Sequence, residues 1–394
     1  MKLLATFTTL LLGSLLIGCQ STASRASQED VPAVAADEQL DQQLARLVAE
    51  HGIRTAGVGV IRNGELVWTG YYGEQSTGVP ASRETLFNVA SISKVITTEA
   101  VLRLVGEGRL SLDEPMAAHW VDPDLADDPR HELLTPRMVL THTTGFPNWR
   151  FLLEDRKLKF LHDPGTTYGY SGEGFEYLAR YVEEKLDRDF GDVVNDVVIE
   201  PIGMSHAAFS IDESAFGDLA QPLNEQGEFA GHYCRPNGWC RKPGTYSAAD
   251  DMMVSVESYA KFMLAVMNAD GYSEHLAAER NHVHTEKGSQ ANVDCSHVPE
   301  DQCPQVQGFG LGWEVLDYGD SKLLSHGGSD WAELALAYFH TGSRDGLLIF
   351  FNAPPERAMA AMPAAIRALD PDSPMENLYQ RRFEKMKAAQ GGAL

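Results

Sequence analysis

Strand-forming sequence lies near both ends of this chain, and helix-forming sequence fills most of the middle. Near the beginning, two alternating apolar stretches, 56–61 and 65–71, flank Asn63-Gly64, which is the strongest short signal for a β-hairpin. Near the end, the residue pattern predicts strands over Gly310–Leu316, Lys322–His326, Leu334–Phe339 and Gly346–Asn352. Helical spacing of apolar residues predicts flanking helices over Glu38–His51 and Arg357–Leu369. Both ends of the chain therefore contribute to one antiparallel sheet flanked by helices, an α/β architecture.

The middle of the chain carries a helical pattern instead. Apolar residues recur three and four positions apart in four segments, Ser91–Gly106, Thr135–Thr141, Gly174–Leu186 and Val256–Met267. This arrangement predicts a mainly helical lobe inserted into the α/β lobe. A cleft between two lobes is a common location for a small-molecule site, so we expect the functional residues there.

The first residues have the layout of an export signal. Lys2 precedes an apolar stretch over 3–17 that is short for a membrane span, and Cys19 follows where that stretch stops. The end of the stretch resembles the lipobox of bacterial lipoproteins, so we expect a signal peptide over 1–18 and a lipid on Cys19. An ordinary signal peptide with an incidental cysteine is the alternative. Residues 19–36, poor in large apolar side chains, are predicted to form a flexible tether.

The charge of the chain excludes several partners. With 56 acidic against 32 basic residues, the formal net charge is −24, which disfavours nucleic acid and leaves no basic face for anionic lipid. Membrane attachment is therefore expected only through the lipid on Cys19. Gln20, rather than Asp, follows that cysteine, which favours an outer-membrane anchor facing the periplasm of a bacterial cell envelope.

Four cysteines remain after Cys19, and in an exported protein they are disulfide candidates. Three pairings are possible, and proximity in the sequence favours Cys234 with Cys240 and Cys295 with Cys303. The first pair would pin the long loop Asn224–Gly244, for which a position near the cleft is plausible. A metal site is the alternative, with nearby histidines at 232, 282, 284 and 297, but no Cys-x-x-Cys or His-x-x-x-His spacing supports it. We therefore expect neither a metal nor another cofactor.

Ser91-Ile92-Ser93-Lys94 is the candidate catalytic motif. Acylation of a serine requires a hydroxyl nucleophile, a base within hydrogen-bond reach, and donors directed at the developing oxyanion. If a helix begins at Ser91, Lys94 lies one turn further along on the same face, so that its amine can approach the hydroxyl. The free N–H groups and the positive dipole end of a helix start also favour an oxyanion.

A second Ser-x-x-Lys, from Ser258 to Lys261, means that this motif alone is not specific. Ser258 falls inside a predicted helix, where its backbone N–H is committed to the helix hydrogen bonds, whereas Ser91 lies at a predicted helix start. We therefore assign the nucleophile to Ser91 and a packing or surface role to Ser258.

The neighbouring motifs make the assignment specific. The sequence around Ser91 strongly resembles class C β-lactamases, penicillin-binding proteins and the wider family of β-lactamase-related serine hydrolases. Further matching segments follow in family order: Leu104–Pro115, Thr135–Gly145, Pro164-Gly165, Tyr170-Ser171-Gly172, Pro201–Met204 and Gly308–Trp313. The resemblance covers roughly residues 40–370 and implies the β-lactamase-like (serine transpeptidase-like) fold. We place the hydrolase domain at 37–370 and a charged C-terminal tail, without assigned function, at 371–394.

The resemblance also implies roles for individual residues. Tyr170 matches the tyrosine of the family's Tyr-x-Asn motif, whose phenol shares the nucleophile's proton with the lysine and later helps to activate water. Gly172 departs from the asparagine, which weakens the expectation of β-lactam or peptide-amide recognition. His326-Gly327-Gly328 matches His-x-Gly on a strand lining the site, and His in place of Lys removes a fixed positive charge at neutral pH. By the same correspondence, the backbone N–H groups of Ser91 and Ser329 form the oxyanion hole.

Together these observations predict acyl transfer to water. Ser91 would attack an ester, amide or lactam carbonyl of a small molecule or peptide, and Lys94 and Tyr170 would move the proton before water hydrolyses the acyl-enzyme. Gly172 and His326 favour esterase or peptidase-like activity over efficient β-lactamase activity. The alternative is a lipoprotein that binds cell-wall peptides or penicillin and is non-catalytic or deacylates slowly.

Overall fold

A computed structural model of the protein describes residues 38–288, 293, 295 and 303–391. The predicted signal peptide over 1–18, Cys19 and the tether over 19–36 lie outside the described residues. Within the described part of the chain, no helix combines the length and the apolar character that crossing a membrane requires.

In these described residues, twelve strands make up two sheets. They are β1 (Thr55–Arg62), β2 (Glu65–Ser76), β3 (Val79–Pro80), β4 (Phe87–Asn88), β5 (Ala207–Ala208), β6 (Met253–Val254), β7 (Thr285–Glu286), β8 (Val306–Phe309), β9 (Glu314–Asp317), β10 (Lys322–Ser329), β11 (Glu333–His340) and β12 (Gly346–Asn352). The main sheet is antiparallel, with the order β3-β2-β1-β12-β11-β10-β9-β8-β7, and β4, β5 and β6 form a small second sheet. Because β1 pairs with β12, the two ends of the chain meet in one sheet, as the sequence predicts.

The hairpin between β1 and β2 forms where Asn63-Gly64 predicts it. Both residues take positive φ, 53° for Asn63 and 77° for Gly64, as a two-residue hairpin turn of the primed type requires. The four predicted C-terminal strands are also present, although several of their bounds differ by one to four residues. The strand expected from Gly310 begins only at Glu314, because Gly312 adopts φ +72 and packs directly against Thr98.

Ten helices lie in the described part of the chain. They are α1 (Glu38–Glu50), α2 (Ser93–Gly106), α3 (Pro136–Leu140), α4 (Gly172–Leu186), α5 (Phe190–Val194), α6 (Glu200–Ile202), α7 (Val256–Asn268), α8 (Glu274–Arg280), α9 (Pro355–Leu369) and α10 (Met375–Gly391). A π-helical turn, Asn195–Ile199, joins α5 to α6. The four predicted helices of the middle segment correspond to α2, α3, α4 and α7, which confirms the helical lobe.

The main sheet is buried on both faces. Helices α1, α9 and α10 pack on one face, against side chains such as Leu347 and Ile349 of β12. The helical lobe packs on the other face, against Leu348 and Phe350 of the same strand. Alternate residues of β12 therefore enter two different apolar layers, and all seven of its residues are buried.

The C-terminal segment differs from its sequence interpretation as a charged tail. Helix α10 packs against α9, and its residues Met375, Leu378 and Tyr379 are buried in the apolar layer beneath the sheet. Their spacing of three and four residues gives the helix one apolar stripe, which the many charged neighbours obscure in the sequence. Residues 375–391 are therefore part of the folded body.

Both predicted disulfides are present. Cys234 is bonded to Cys240, and Cys295 is bonded to Cys303. The four thiols are therefore unavailable as metal ligands, which removes the cysteine component of the alternative metal site.

Candidate active site

Ser91 lies in a tight turn that leads into α2. The turn is a single 3₁₀ turn, Ala90–Ile92, and Ala90 adopts φ +48, an unusual conformation for a residue with a side chain. The backbone N–H of Ala90 donates to Asn88 Oδ1 at 2.9 Å, and that of Val89 donates to the carbonyl of Met252 at 3.1 Å. These bonds hold a strained backbone in place and put Ser91 in the turn just before α2, two residues ahead of the helix start at Ser93.

Lys94 contacts the Ser91 hydroxyl. Its Nζ lies 3.1 Å from Ser91 Oγ and 2.8 Å from the carbonyl oxygen of Ala249. The lysine side chain is fully buried, and its amine lies 4.9 Å from the centroid of the Tyr170 ring and 5.7 Å from that of Trp149. The hydroxyl and the amine of the Ser91-x-x-Lys94 motif are thus brought within hydrogen-bond reach of each other.

His142 positions the loop that carries Tyr170. The two rings are 4.4 Å apart between centroids, the Nδ1 atom of His142 accepts from the backbone N–H of Ser171, and its carbonyl accepts from that of Gly169. Burial, together with the positive charge of Lys94, holds the pKa of His142 well below its usual range. A neutral ring can accept at Nδ1, so His142 fixes the Tyr170 loop without contributing charge.

Gly172 lies under the indole of Trp149. A Cβ added at Gly172 would come within 2.6 Å of two indole atoms, so a larger residue requires Trp149 to move. The backbone N–H of Gly172 donates to Asn148 Oδ1 at 3.0 Å, which keeps the start of α4 against this loop. The space that a side chain at position 172 would need is therefore filled by an aromatic ring, and the nearby side-chain amide belongs to Asn148.

Strand β10 presents an open edge to the cleft. It pairs with β11 from Leu323 to Ser329, but with β9 only as far as Ser325. Opposed residues of an antiparallel pair alternate between hydrogen-bonded and non-hydrogen-bonded types. Because the N–H of Asp330 donates to the carbonyl of Glu333, the next pair, Ser329 with Leu334, is non-hydrogen-bonded. The N–H of Ser329 therefore points away from β11, towards the open edge.

Gly328 brings this edge against the turn that contains Ser91. A Cβ at Gly328 would lie 2.1 Å from the carbonyl oxygen of Val89 and 3.2 Å from the backbone nitrogen of Ile92. Only glycine permits so close an approach of the two backbones. The segments that carry the N–H groups of Ser91 and Ser329 consequently lie side by side.

His326 is buried beside the same cleft and is uncharged. Its Nδ1 lies 2.8 Å from the carbonyl oxygen of Gly327, and its ring lies 6.2 Å from that of Tyr170. Burial, followed by the nearby charge of Lys94, lowers the pKa of His326 to about 3. With this pKa the ring is neutral at physiological pH.

One cavity of about 430 Å³ joins most of these residues. Its lining includes Ser91, Tyr170, His326, Gly328 and Ser329, all of which the sequence singles out, whereas Lys94 and Gly172 are not among the described lining residues. The lining also includes charged or polar residues that sequence reasoning missed, among them Asn148, Lys287, Glu314, Tyr379 and Arg382. None of these five belongs to a motif, and the last two belong to the segment interpreted as a tail.

The second Ser-x-x-Lys motif has a structural role. Ser258 is buried in α7, and its hydroxyl accepts from the backbone N–H of His206 at 3.1 Å. Lys261 Nζ donates to the carbonyl of Gly203 at 3.0 Å. Both side chains hold the segment before β5, which confirms the packing role assigned to Ser258.

The loop closed by Cys234 and Cys240 is tied to the end of β10. Arg235 forms two hydrogen bonds of 2.9 Å to the carboxylate of Asp330, the residue that follows Ser329. Asp330, Asp250 and Asp251 bring carboxylate oxygens within 4.8 Å of one another, and Arg241 pairs with Asp251. Arginines thus pair with two of these three carboxylates.

Comparison with known proteins places these features in a wider group. The sequence profile of the family described as "Beta-lactamase" matches residues 40–370. The chain is 30% identical over 203 residues to Esterase EstB of Burkholderia gladioli, a match that covers 43% of this chain and 50% of the esterase. The curated relatives that it resembles are matched over only 38% to 50% of their own length.

Solved structures share the fold, and two of them illustrate the likeness. The octameric penicillin-binding protein homologue from Pyrococcus abyssi superposes with a TM-score of 0.66 at 20% identity, covering 88% of this chain and 80% of that one. A class C beta-lactamase superposes with a TM-score of 0.64 at 16% identity, covering 84% and 96%. At such identities the likeness concerns the fold alone, and it confirms the fold expected from the sequence.

Proposed function

The chain belongs to the beta-lactamase family of serine hydrolases, and on this basis we propose that it is a catalytically active hydrolase of carboxylic esters. The observation that carries the proposal is the 3.1 Å contact between Lys94 Nζ and Ser91 Oγ at a helix start beside the open edge of β10. A nucleophile, a base and a pair of backbone donors are the minimum that acyl transfer requires.

The proposed reaction uses these groups in order. Ser91 Oγ attacks the ester carbonyl while its proton passes to Lys94 Nζ, and the alkoxide leaves with a proton relayed by Lys94 and Tyr170. The N–H groups of Ser91 and Ser329 bind the oxyanion of the tetrahedral intermediate. Water then attacks the acyl-enzyme and gives a proton to the Lys94–Tyr170 pair. The bond between Ser91 Oγ and the acyl carbon breaks as that proton returns to Oγ, and the acid is released.

The preference for esters over lactams and amides rests on two features. At Gly172 the Trp149 indole fills the space of the missing side chain. The amide oxygen beside it, Asn148 Oδ1, already accepts from the Gly172 N–H, so the amide N–H of a substrate would have to share that acceptor. His326 is neutral, so it offers no charge to the carboxylate of a β-lactam. The 30% identity to an esterase points in the same direction.

A direct comparison of substrates tests this proposal. We expect kcat/KM for p-nitrophenyl butyrate to exceed that for nitrocefin by about 100-fold or more, because a site that leaves polar groups unpaired discriminates by at least this factor. Intact mass after incubation with a fluorophosphonate should show one adduct. Equal or faster nitrocefin hydrolysis would contradict the preference, and a penicillin adduct stable for hours would favour a slowly deacylating penicillin-binding protein.

The close approach at Gly328 gives a second expected result. Gly328→Ala should lower kcat for p-nitrophenyl butyrate about 100-fold, since the added methyl must push the Ser329 segment away from the Val89 carbonyl and so displace an oxyanion donor. Gly342→Ala is the matched control, because its added Cβ would meet only Ser321 at 3.6 Å. Steady-state kinetics with a thermal unfolding scan of each variant makes the comparison. A Gly328→Ala enzyme of undiminished kcat would rule out the proposed oxyanion hole.

A further inference from the structure

The disulfide between Cys234 and Cys240 closes a hairpin that carries an arginine on each side. Residues 233–241 form this hairpin, in which Arg235 follows the first cysteine and Arg241 follows the second. The backbone N–H groups of both arginines donate across the hairpin, at 2.8 Å and 3.0 Å. We propose that the hairpin is a clamp that sets the separation of the two oxyanion donors, with both arginines as positioning residues. This inference rests on the proposed hydrolase function, to which it adds the groups that hold the oxyanion hole in shape.

The first arm of the clamp ends beside Ser329. Arg235 donates from Nη1 and Nη2 to the two carboxylate oxygens of Asp330, each at 2.9 Å. This forked contact fixes the plane of the carboxylate as well as its position. Asp330 directly follows Ser329, and its N–H is already bound to the carbonyl of Glu333. The segment that carries the Ser329 N–H is therefore held both by its pairing with β11 and by Arg235.

The second arm ends beside Ser91. Arg241 pairs with the carboxylate of Asp251, and that carboxylate accepts from Asn88 Nδ2 at 3.2 Å. The side-chain oxygen of Asn88 in turn accepts from the backbone N–H of Ala90 at 2.9 Å. Asp251 and Ala90 both have positive φ, 73° and 48°, which residues with a side chain rarely adopt. The contacts that start at Arg241 therefore end at the strained residue that precedes Ser91.

Trp239 joins the two arms within the hairpin. Its ring centroid lies 6.0 Å from the guanidinium carbon of Arg235 and 5.7 Å from that of Arg241. A guanidinium at about 6 Å from the centroid of an indole is attracted by the ring. One indole thus attracts both guanidinium groups, while the disulfide ties together the backbone positions that carry them. The two arginines are consequently held as one unit.

The carboxylates at the ends of the two arms repel one another. Asp250, Asp251 and Asp330 bring oxygens within 4.8 Å of one another, and the buried Glu333 lies beside them. Burial, followed by the charge of Asp330, holds the pKa of Glu333 well above its usual range. Without the arginines, the carboxylates at the ends of the arms would stay partly buried among like charges, a state that their segments relieve by moving towards water. Because the two arginines counter this repulsion, the clamp keeps both segments in place.

Arg235→Gln tests the first arm. We expect kcat for p-nitrophenyl butyrate to fall about tenfold to a hundredfold, because a displacement of about 1 Å at the reacting groups has an effect of this size. KM should change less than about twofold, since the oxyanion donors act on the transition state rather than on the bound ester. n-Butylboronic acid, which adds to a serine hydroxyl as a tetrahedral anion, should bind more weakly by the same factor as kcat. Arg235→Lys, which keeps the charge without the fork, should give an intermediate loss.

Arg130→Gln is the matched control. The side chain of Arg130 has the same exposed fraction as that of Arg235, 37%, and it pairs with Asp128 at 2.6 Å. Asp128 caps the helical turn Pro129–Leu133 rather than an oxyanion segment, so kcat and boronate affinity should stay at their wild-type values. All rates are measured well below the unfolding midpoint of each variant, which separates a loss of stability from a displaced donor.

The disulfide is tested by the double variant Cys234→Ser/Cys240→Ser, which should lower kcat in the same way. Combined with Arg235→Gln, it should lower kcat by clearly less than the product of the two separate effects, because groups that act as one unit are not additive. Cys295→Ser/Cys303→Ser, which removes the other disulfide, should leave kcat unchanged.

Three outcomes would overturn the clamp while the proposed nucleophile stands. They are an unchanged kcat in Arg235→Gln, an equal fall in Arg130→Gln, and fully multiplicative effects of the arginine and disulfide variants. Failure of the wild-type protein to release p-nitrophenolate would instead overturn the hydrolase function on which the clamp rests.

Discussion

Ser91→Ala is expected to abolish the fluorophosphonate adduct and to lower ester hydrolysis about 10⁴-fold or more, the scale seen when an enzyme loses its nucleophile. Lys94 Nζ is 3.1 Å from Ser91 Oγ, so the variant removes the atom that the proposed base activates. Intact mass spectrometry and p-nitrophenyl butyrate kinetics measure the two effects. Because Ser91 is only partly buried, the loss of its hydroxyl should leave thermal stability nearly unchanged.

The second motif supplies the control. Ser258→Ala removes a hydroxyl from the same Ser-x-x-Lys pattern, and although it leaves the His206 N–H without its acceptor, the adduct should persist. An adduct that survives in Ser91→Ala and disappears in Ser258→Ala would reverse the assignment. An adduct present in neither variant nor the wild-type protein would favour the non-catalytic alternative.

Lys94→Met should cost about 10³-fold in the acylation rate, within the range for loss of a general base. Methionine keeps much of the side chain's length and apolar volume while it removes the amine that contacts Ser91 Oγ and the Ala249 carbonyl. The buried carbonyl then lacks a partner, so a lower midpoint of thermal unfolding is expected as well, from a penalty of about 1–3 kcal/mol.

Kinetics at a temperature well below both unfolding midpoints separates the loss of chemistry from the loss of stability. Lys261→Met provides the comparison, since Lys261 is an exposed lysine that donates to a loop carbonyl far along the chain. Wild-type acylation rates in Lys94→Met would exclude Lys94 as the base. Equal losses in both lysine variants would attribute the effect to stability rather than to the reaction.

The sequence predicts the fold and the nucleophile well because their signals are local. Asn63-Gly64 defines a hairpin by its own backbone preferences, and Ser91 can be separated from Ser258 by its position at a helix start. The motifs that begin at Tyr170 and His326 occur along the chain in the same order as in the family. Each of these inferences depends on a few neighbouring residues.

The remainder of the site depends on contacts between distant segments. Nothing near Lys287 or Glu314 indicates that they pair in a cleft, because they belong to different strands or loops. The apolar stripe of α10 consists of only three buried residues among many charged ones. The sequence therefore does not show that Arg382 lines the cavity, which depends on the packing of α10 on α9. Similarly, Gly172 in the sequence shows that the asparagine side chain of the family motif is missing. Only the three-dimensional structure shows that the Trp149 indole occupies the adjacent space.

The pairing of β1 with β12 has a consequence for the order of folding. Thr55 lies opposite Asn352, so the central strands of the sheet come from opposite ends of the domain. During synthesis, β1 and β2 form a hairpin whose inner edge has no partner until the last strand leaves the ribosome. Closing so long a loop is entropically unfavourable and slows the search for native contacts. The main sheet therefore cannot be completed until nearly the whole domain has been synthesised. During that interval the unpaired edge of β1 is available for pairing with strands of other chains.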